Sequence, residues 1–169
     1  MTTRHTTIDS PLGQLTLTAQ DGVLTGIFFE GHWHMPSSEF FGAPAPSKDP
    51  LFQRAAAEIG EYLAGERTVF EVPFKASGNP FQQQVWAKLE QIPYGETVSY
   101  GELATELGDR KLSQAVGSAV GRNPLSMVIP CHRVVGHDGR LTGYAGGLDN
   151  KRFLLELEEP AAAKESKLF

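Results

Sequence analysis

The sequence predicts a mixed fold of the α+β / α/β class. A small β-rich N-terminal part precedes a mostly helical C-terminal part that holds a helix-turn-helix. Three observations predict it. Period-two alternation runs through residues 14–29, where Leu15 and Leu17 alternate with Thr16 and Thr18. Helical spacing and capping signals then recur from Leu51 onward. Between the two lies Ala76-Ser77-Gly78-Asn79-Pro80, a linker composition that divides the chain into residues 1–77 and 78–169.

The elements follow in order. Thr6 to Ser10 reads as a strand leading into the turn Pro11-Leu12-Gly13. Gln14 to Ala19 is a second strand, Asp21-Gly22 is a hairpin signal, and Val23 to Phe29 is a third strand, which makes an antiparallel meander. His32 through Pro50 holds four prolines and no clear period, so it reads as a loop. His32 and His34 lack further ligands at metal spacing, so no metal is expected there. Leu51 to Ala64 reads as a helix stopped by Gly65, and Val69, Val72 and Phe74 as a short strand returning to the sheet.

In the C-terminal part, Phe81, Val85 and Leu89 fall four apart in a helix that ends at Ile92-Pro93-Tyr94-Gly95. Ser99 is placed to cap Tyr100 to Leu107, with Glu102 at the capping-box position. A second short helix, Ser113 to Arg122, completes the helix-turn-helix. It has little side-chain bulk: Ala115, Gly117, Ser118, Ala119 and Gly121. Such a helix suits either close helix packing or approach to a narrow surface such as a DNA minor groove. Asn123-Pro124 breaks it, and Ser126 to Ile129 reads as an apolar extended segment leading to Cys131. Asp149 is expected to cap a last helix through Leu154 and Glu158, with a frayed tail from Pro160 to Phe169.

Cys131 is the only cysteine of the 169 residues. A lone thiol excludes an intrachain disulfide and a two-cysteine zinc site. It lies in Pro130-Cys131-His132-Arg133, where two potential cations would favour the nucleophilic thiolate over an inert buried thiol. No apolar run approaches the roughly 18 residues of a membrane span, and the N-terminus lacks a secretory signal, so a cytoplasmic protein is expected. The net charge of -5 does not favour nucleic acid, but Lys and Arg collect locally at Arg110-Lys111, Arg122, Arg133, Arg140 and Lys151-Arg152.

Several motifs occur in a fixed order: Phe81-Gln82-Gln83-Gln84-Val85-Trp86, residues 92–100, Asn123-Pro124, Ile129-Pro130-Cys131-His132-Arg133-Val134 and Gly143-Tyr144-Ala145-Gly146-Gly147. Together they closely resemble the O6-alkylguanine-DNA alkyltransferases, also called methylated-DNA–protein-cysteine methyltransferases. The resemblance covers about residues 78–158. It implies a ribonuclease H-like N-terminal domain and a winged-helix-like catalytic domain. It also implies DNA repair by single, stoichiometric transfer of an alkyl group from O6-alkylguanine to Cys131, after minor-groove binding and base flipping. No cofactor is implied, because the damaged base is itself the donor. The zinc found in some relatives is not expected here. The implied partner is alkylated double-stranded DNA, bound by a monomer, with cooperative clustering left open and no membrane involved.

The resemblance also implies residue roles. Cys131 is the nucleophile, His132 a general base acting through water, Glu158 the group orienting it, and Asn123 the brace of the active-site turn. Tyr100 helps rotate the nucleotide and donates to a guanine ring nitrogen. Ser113, Gln114, Ala115, Gly117 and Arg133 face the DNA, and Val134, Tyr144, Ala145 and Gly146 form the alkylguanine pocket. The sequence departs from the family at Gln114, where an arginine is usual, so weaker flipping or affinity is expected, with Arg110, Lys111 or Arg122 as compensating cations. A non-catalytic alkylguanine reader, a cysteine hydrolase and a winged-helix regulator are the rival classes. The presence of Cys131, the awkward geometry of adjacent residues in extended chain and the length argue against them in turn.

Overall fold

The computed structural model describes residues 3–32, 36, 38–46 and 48–160. Strands β1 (Thr3–Ile8), β2 (Leu15–Gln20) and β3 (Val23–Phe29) form the meander, with Thr3 opposite Gln20 and Leu15 opposite Phe29. Asp21 adopts a φ of 52° in the β2–β3 turn, a conformation open to Asp beside glycine. The region expected to be loop adds a 3-10 turn at Ser38–Phe41 and a short strand, β4 (Ala43–Pro44). β4 pairs parallel to β1, so the sheet order is β3-β2-β1-β4. Proline in so short a segment hides this pairing from sequence, but an edge strand tolerates it. His32 accepts a hydrogen bond from the Phe29 N–H at 3.3 Å and packs against Phe28 and Phe29, while His34 lies outside the described residues.

Helix α1 (Pro50–Leu63) covers the sheet with Phe52, Ala55, Ile59 and Tyr62, all buried. Burying each large apolar side chain stabilises by about 1.5–3 kcal/mol. Asp49 caps the helix, accepting from the backbone of Leu51 and Phe52, and receives the Arg4 guanidinium at 2.5 Å, which ties α1 to β1. The strand expected at residues 69–74 is absent. Only a bridge from Leu24 to Phe74 forms, and Val69 is exposed. Pro73 has no N–H for a ladder, and the segment is instead pinned by buried Glu58, which accepts from the Glu71 and Val72 N–H groups.

Helix α2 (Pro80–Leu89) starts at a capping box between Asn79 and Gln82. A two-residue β5 (Val98–Ser99) leads into α3 (Tyr100–Glu106), where Ser99 and Glu102 form the expected reciprocal cap. A 3-10 turn at Arg110–Leu112 joins α3 to α4 (Ser113–Gly121). Helix α4 packs on α2 through Val116, Ala119 and Val120, and the Trp86 indole donates to the Ala119 carbonyl at 2.8 Å. Cys131–Arg133 forms a 3-10 turn, followed by β6 (Val134–Val135), which is parallel to β5. Helix α5 (Leu148–Glu158) closes the fold. Its cap is Gly147, with a φ of 98°, and Asp149 lies within the first turn. The tail beyond Pro160 lies outside the described residues.

One hydrophobic core runs through both halves. At the seam, the Ile27 N–H donates to the Pro124 carbonyl at 2.8 Å, and Phe29 meets Tyr144 at 6.1 Å. The meander therefore buttresses the loops around Cys131. Among the described residues no helix is long and apolar enough to cross a membrane.

Candidate active site

The segment before Cys131 is a tight turn, not the extended strand expected from its apolar run. The Ile129 N–H returns to the Leu125 carbonyl at 2.9 Å, and Met127 has a φ of 72°. Asn123 holds this turn from inside. Its amide donates to the Ile129 carbonyl at 2.8 Å, and its oxygen accepts from the Leu125 N–H at 3.0 Å. Both are backbone groups that burial would otherwise leave costly and unpaired. The result places Cys131 at the start of its 3-10 turn, 4% exposed.

Because residues 131–133 are helical, their side chains diverge. His132 and Arg133 turn away from the thiol towards Glu158 of α5. His132 Nε2 lies 2.8 Å from Glu158 Oε2, while Arg133 Nε reaches Oε1 at 2.7 Å and its Nη2 reaches Oε2 at 2.9 Å. Arg133 also donates to the Ile92 carbonyl at 2.7 Å and is only 7% exposed. This corrects the expectation that Arg133 faces DNA: its guanidinium is committed to a buried carboxylate. It also corrects the expectation that the two motif cations activate the thiol.

Burial pushes the Cys131 thiol up. Asn123, Tyr144 and the Lys151 ammonium pull it down without cancelling that effect. Lys151 is fully buried on α5 and donates to the Val134 carbonyl at 2.7 Å and the Thr142 carbonyl at 3.2 Å. Burial lowers its pKa to about 8, and a charged Cys131 would favour its protonated form. Sequence reasoning missed this residue. The signal was present, since Lys151, Leu154 and Glu158 share the buried stripe of α5, where unpaired charges do not belong.

Glu158 sits at about pH 2 in its titration. Burial alone would raise it, but hydrogen bonds from His132, Arg133 and Tyr62 outweigh burial. Burial pushes His132 down, and Glu158 only partly restores it. The ring is therefore neutral at physiological pH. An ionised carboxylate can only accept, so Nε2 carries the hydrogen towards Glu158 and Nδ1 keeps its lone pair. Nδ1 is buried without a hydrogen-bond partner, as are Ser126 Oγ and Tyr144 Oη. Tyr144 Oη lies close enough to Cys131 and Ser126 to perturb its titration, though no well-formed bond joins them. An unpaired basic nitrogen can take a proton, and unpaired buried polar atoms can meet a polar substrate.

Tyr100, the first residue of α3, receives the Thr142 hydroxyl at 3.2 Å, and burial raises its pKa. Gly117 of α4 faces the Tyr100 ring, where an added Cβ would lie 3.8 Å away. Gln114 and Ala115 are exposed on the first turns of α4, and the Ser113 hydroxyl donates to the Arg110 carbonyl at 2.7 Å. No packing requires small residues at Ala115, Ser118 or Gly121, the first two being exposed and Gly121 having open space around it. The smoothness of α4 therefore belongs to its surface. A cleft of about 710 Å³, lined by Tyr100, Arg110, Ser113 and His137 among others, opens beside it, but does not reach Cys131. Val134, Tyr144, Ala145 and Gly146 are all buried around the Cys131 turn. Gly146 must be glycine, since a Cβ there would stand 2.2 Å from the Phe29 ring. Among the described residues no group of His, Cys, Asp and Glu could hold a metal.

Comparison with known proteins converges on one family. The ribonuclease-like domain of 6-O-methylguanine DNA methyltransferase matches residues 3–76, and the DNA-binding domain of the same protein matches residues 80–160. A methylated-DNA–protein-cysteine methyltransferase of Mycobacterium bovis is 45% identical over 165 residues, 98% of each chain. The constitutive one of Bacillus subtilis is 40% identical, over 91% of this chain and 94% of that protein. The crystal structure of Mycobacterium tuberculosis OGT in complex with DNA superposes with a TM-score of 0.84 at 46% identity, over 92% of each chain. With matches to both domains and nearly half its residues shared over its whole length, this chain belongs to the methylated-DNA–protein-cysteine methyltransferase family.

Proposed function

We propose that the chain repairs DNA by moving the alkyl group of O6-alkylguanine onto Cys131 Sγ in one irreversible step. Residues 78–169 act as the catalytic and DNA-binding domain and residues 1–77 as the domain that buttresses it. The observation that carries this reading is a buried thiol whose sequence neighbour His132 is paired with Glu158, in a chain that shares nearly half its residues with named transferases.

The thiol proton leaves towards His132 Nδ1, directly or across one water. Sγ attacks the alkyl carbon, the S–C bond forms, and the C–O6 bond breaks with its electron pair left on the guanine. The Tyr100 hydroxyl donates to the base as that charge develops. Lys151 offsets the thiolate charge before attack. No second nucleophile reverses the thioether, so each molecule turns over once.

The target atom is unreachable inside a duplex, so the nucleotide is rotated out, with α4 laid along the minor groove of double-stranded DNA. The exposed Gln114 and Ala115, the nearby Ser113 and Gly117, and the pocket residues Val134, Tyr144, Ala145 and Gly146 then meet the displaced nucleotide. We place the protein in the cytoplasm as a monomer, with clustering on DNA decided by titration on long duplexes. The test is intact mass after incubation with a duplex carrying O6-methylguanine. A gain of one methylene on the peptide containing Cys131 is expected; binding with no gain would make the chain a reader.

A further inference from the structure

Tyr62 belongs to α1, far from the catalytic motifs in sequence, yet its side chain ends at the catalytic carboxylate. It is fully buried. Its hydroxyl donates to Glu158 Oε2, the same oxygen that faces His132 Nε2, and lies 3.4 Å from that nitrogen. The ring is held by Phe70 at 5.1 Å and, edge-on, by Tyr94 at 6.4 Å, so the hydroxyl has one position available. A phenylalanine would fill this part of the core equally well. What tyrosine adds is a third donor on an oxygen already shared by His132 and Arg133.

We propose that Tyr62 is a positioning residue for alkyl transfer, through which the ribonuclease-like domain sets the proton affinity of His132 by way of Glu158. The inference rests on the transferase reading above and deepens it. The groups acting on the His132–Glu158 pair are Tyr62 from α1, Tyr94 after α2, Arg133 in the 3-10 turn and Lys151 from α5. Arg133 and Lys151 oppose a charged imidazole, and Glu158 favours one. The Tyr62 hydrogen bond disperses part of the Glu158 charge, so less of it bears on His132. The ring stays neutral, with Nδ1 free to take the thiol proton. The Tyr62 oxygen also lies beside the Nε2 hydrogen, which discourages the other tautomer. Remove the hydroxyl and Glu158 becomes the stronger base, His132 holds a proton to higher pH, and the base is blocked in acid.

The test uses the full chain with Tyr62→Phe, read by the single-turnover rate on an O6-methylguanine duplex across pH. The acid limb of the profile should move to higher pH. At a pH on that limb the rate should fall roughly three- to tenfold while that on the plateau above it holds, the size of a shift of about half to one pH unit. The DNA concentration giving half the maximal rate should not change. An unmoved limb, whatever happens to melting temperature, overturns the proposal, because lost packing alone does not shift a titration. A second measurement needs no variant. The ring nitrogen chemical shifts of His132 in the unmodified protein should report a neutral imidazole with hydrogen on Nε2 at pH 7, and an imidazolium there overturns the proposal. Neither readout depends on the mass-gain test: a protein that gains no methylene fails the transferase reading, and one that gains it with an unmoved limb fails only the role of Tyr62.

Discussion

Lys151 Nζ donates to the Val134 carbonyl at 2.7 Å, which fixes a buried ammonium in the field of the Cys131 sulfur. The two residues are coupled: a thiolate favours the protonated lysine, and the ammonium favours the thiolate. Replacement by Lys151→Met keeps the packing and removes the charge. The thiol should then ionise at higher pH, and transfer at pH 7 should slow roughly tenfold, the effect of losing about 1.4 kcal/mol of thiolate stabilisation. With a single cysteine in the chain, ultraviolet thiolate absorbance reports Cys131 alone. An unchanged ionisation curve would refute the coupling. In the unmodified protein, the rate should also decline as Lys151 loses its proton near pH 8.

Acid should unfold the protein through the same cluster. Glu158 titrates at about 2, below its ordinary 4.5, so the stability it confers is present above pH 4.5 and is lost as pH falls towards 2. The shift corresponds to roughly 3 kcal/mol. His132, also lowered, works in the same direction below pH 6.5, because the unfolded chain takes up a proton that the buried ring resists. Urea midpoints should fall steadily from pH 7 to pH 3. In Glu158→Gln the slope below pH 4.5 should flatten, while stability at pH 7 drops by about 3–5 kcal/mol, because Arg133 is left buried and unpaired.

Much of the fold was legible because its signals are local. The β2 alternation, the Ser99–Glu102 cap and the Gly65 stop each depend on a few adjacent residues. Two of the errors, at residues 69–74 and 126–129, are apolar segments where the backbone obeys a side chain outside the segment: Glu58 in one, Asn123 in the other. Cys131 and His132 stood out by composition, but their electrostatics did not. Adjacency in sequence implied that His132 and Arg133 stabilise the thiolate by charge, whereas a helical turn sends both to Glu158 and leaves Lys151 as the cation in the field of the sulfur. Tyr62 carried no local signal at all. An apolar-stripe tyrosine on α1 is ordinary until the opposite domain supplies the carboxylate.

Gly146 marks where the domains meet. A Cβ at this position would stand 2.2 Å from the Phe29 ring, which is itself packed at the seam. Gly146→Ala should destabilise by about 1–3 kcal/mol, the usual cost of overpacking, and should displace the loop carrying Tyr144. Gly121→Ala is the control, since a Cβ there meets nothing within 4 Å. That helical position should gain about 0.5–1 kcal/mol from alanine. Thermal melts of the two variants should therefore move in opposite directions, and equal shifts would mean that the seam at Gly146 yields without cost.

Gln114 stands where the resemblance to the family leads one to expect an arginine. It is exposed on the first turn of α4, so a longer cationic side chain has room there. Arg110, one turn earlier, lines the cleft beside Tyr100, and its guanidinium has no hydrogen-bond or ion-pair partner among the described residues. In a chain of net charge -5, each cation on this face weighs heavily in phosphate binding. Gln114→Arg should speed repair of an alkylated duplex roughly three- to tenfold at low salt and steepen the dependence of log affinity on log salt by about 0.9, the value for one added phosphate contact. Arg110→Gln should make that slope shallower by a similar amount. Neither change should alter the rate with a free O6-alkylguanine base, which is not held in a duplex. Duplex kinetics that stay fixed in both variants would show that nucleotide rotation draws on other cations, with Lys111 and Arg122 next in line.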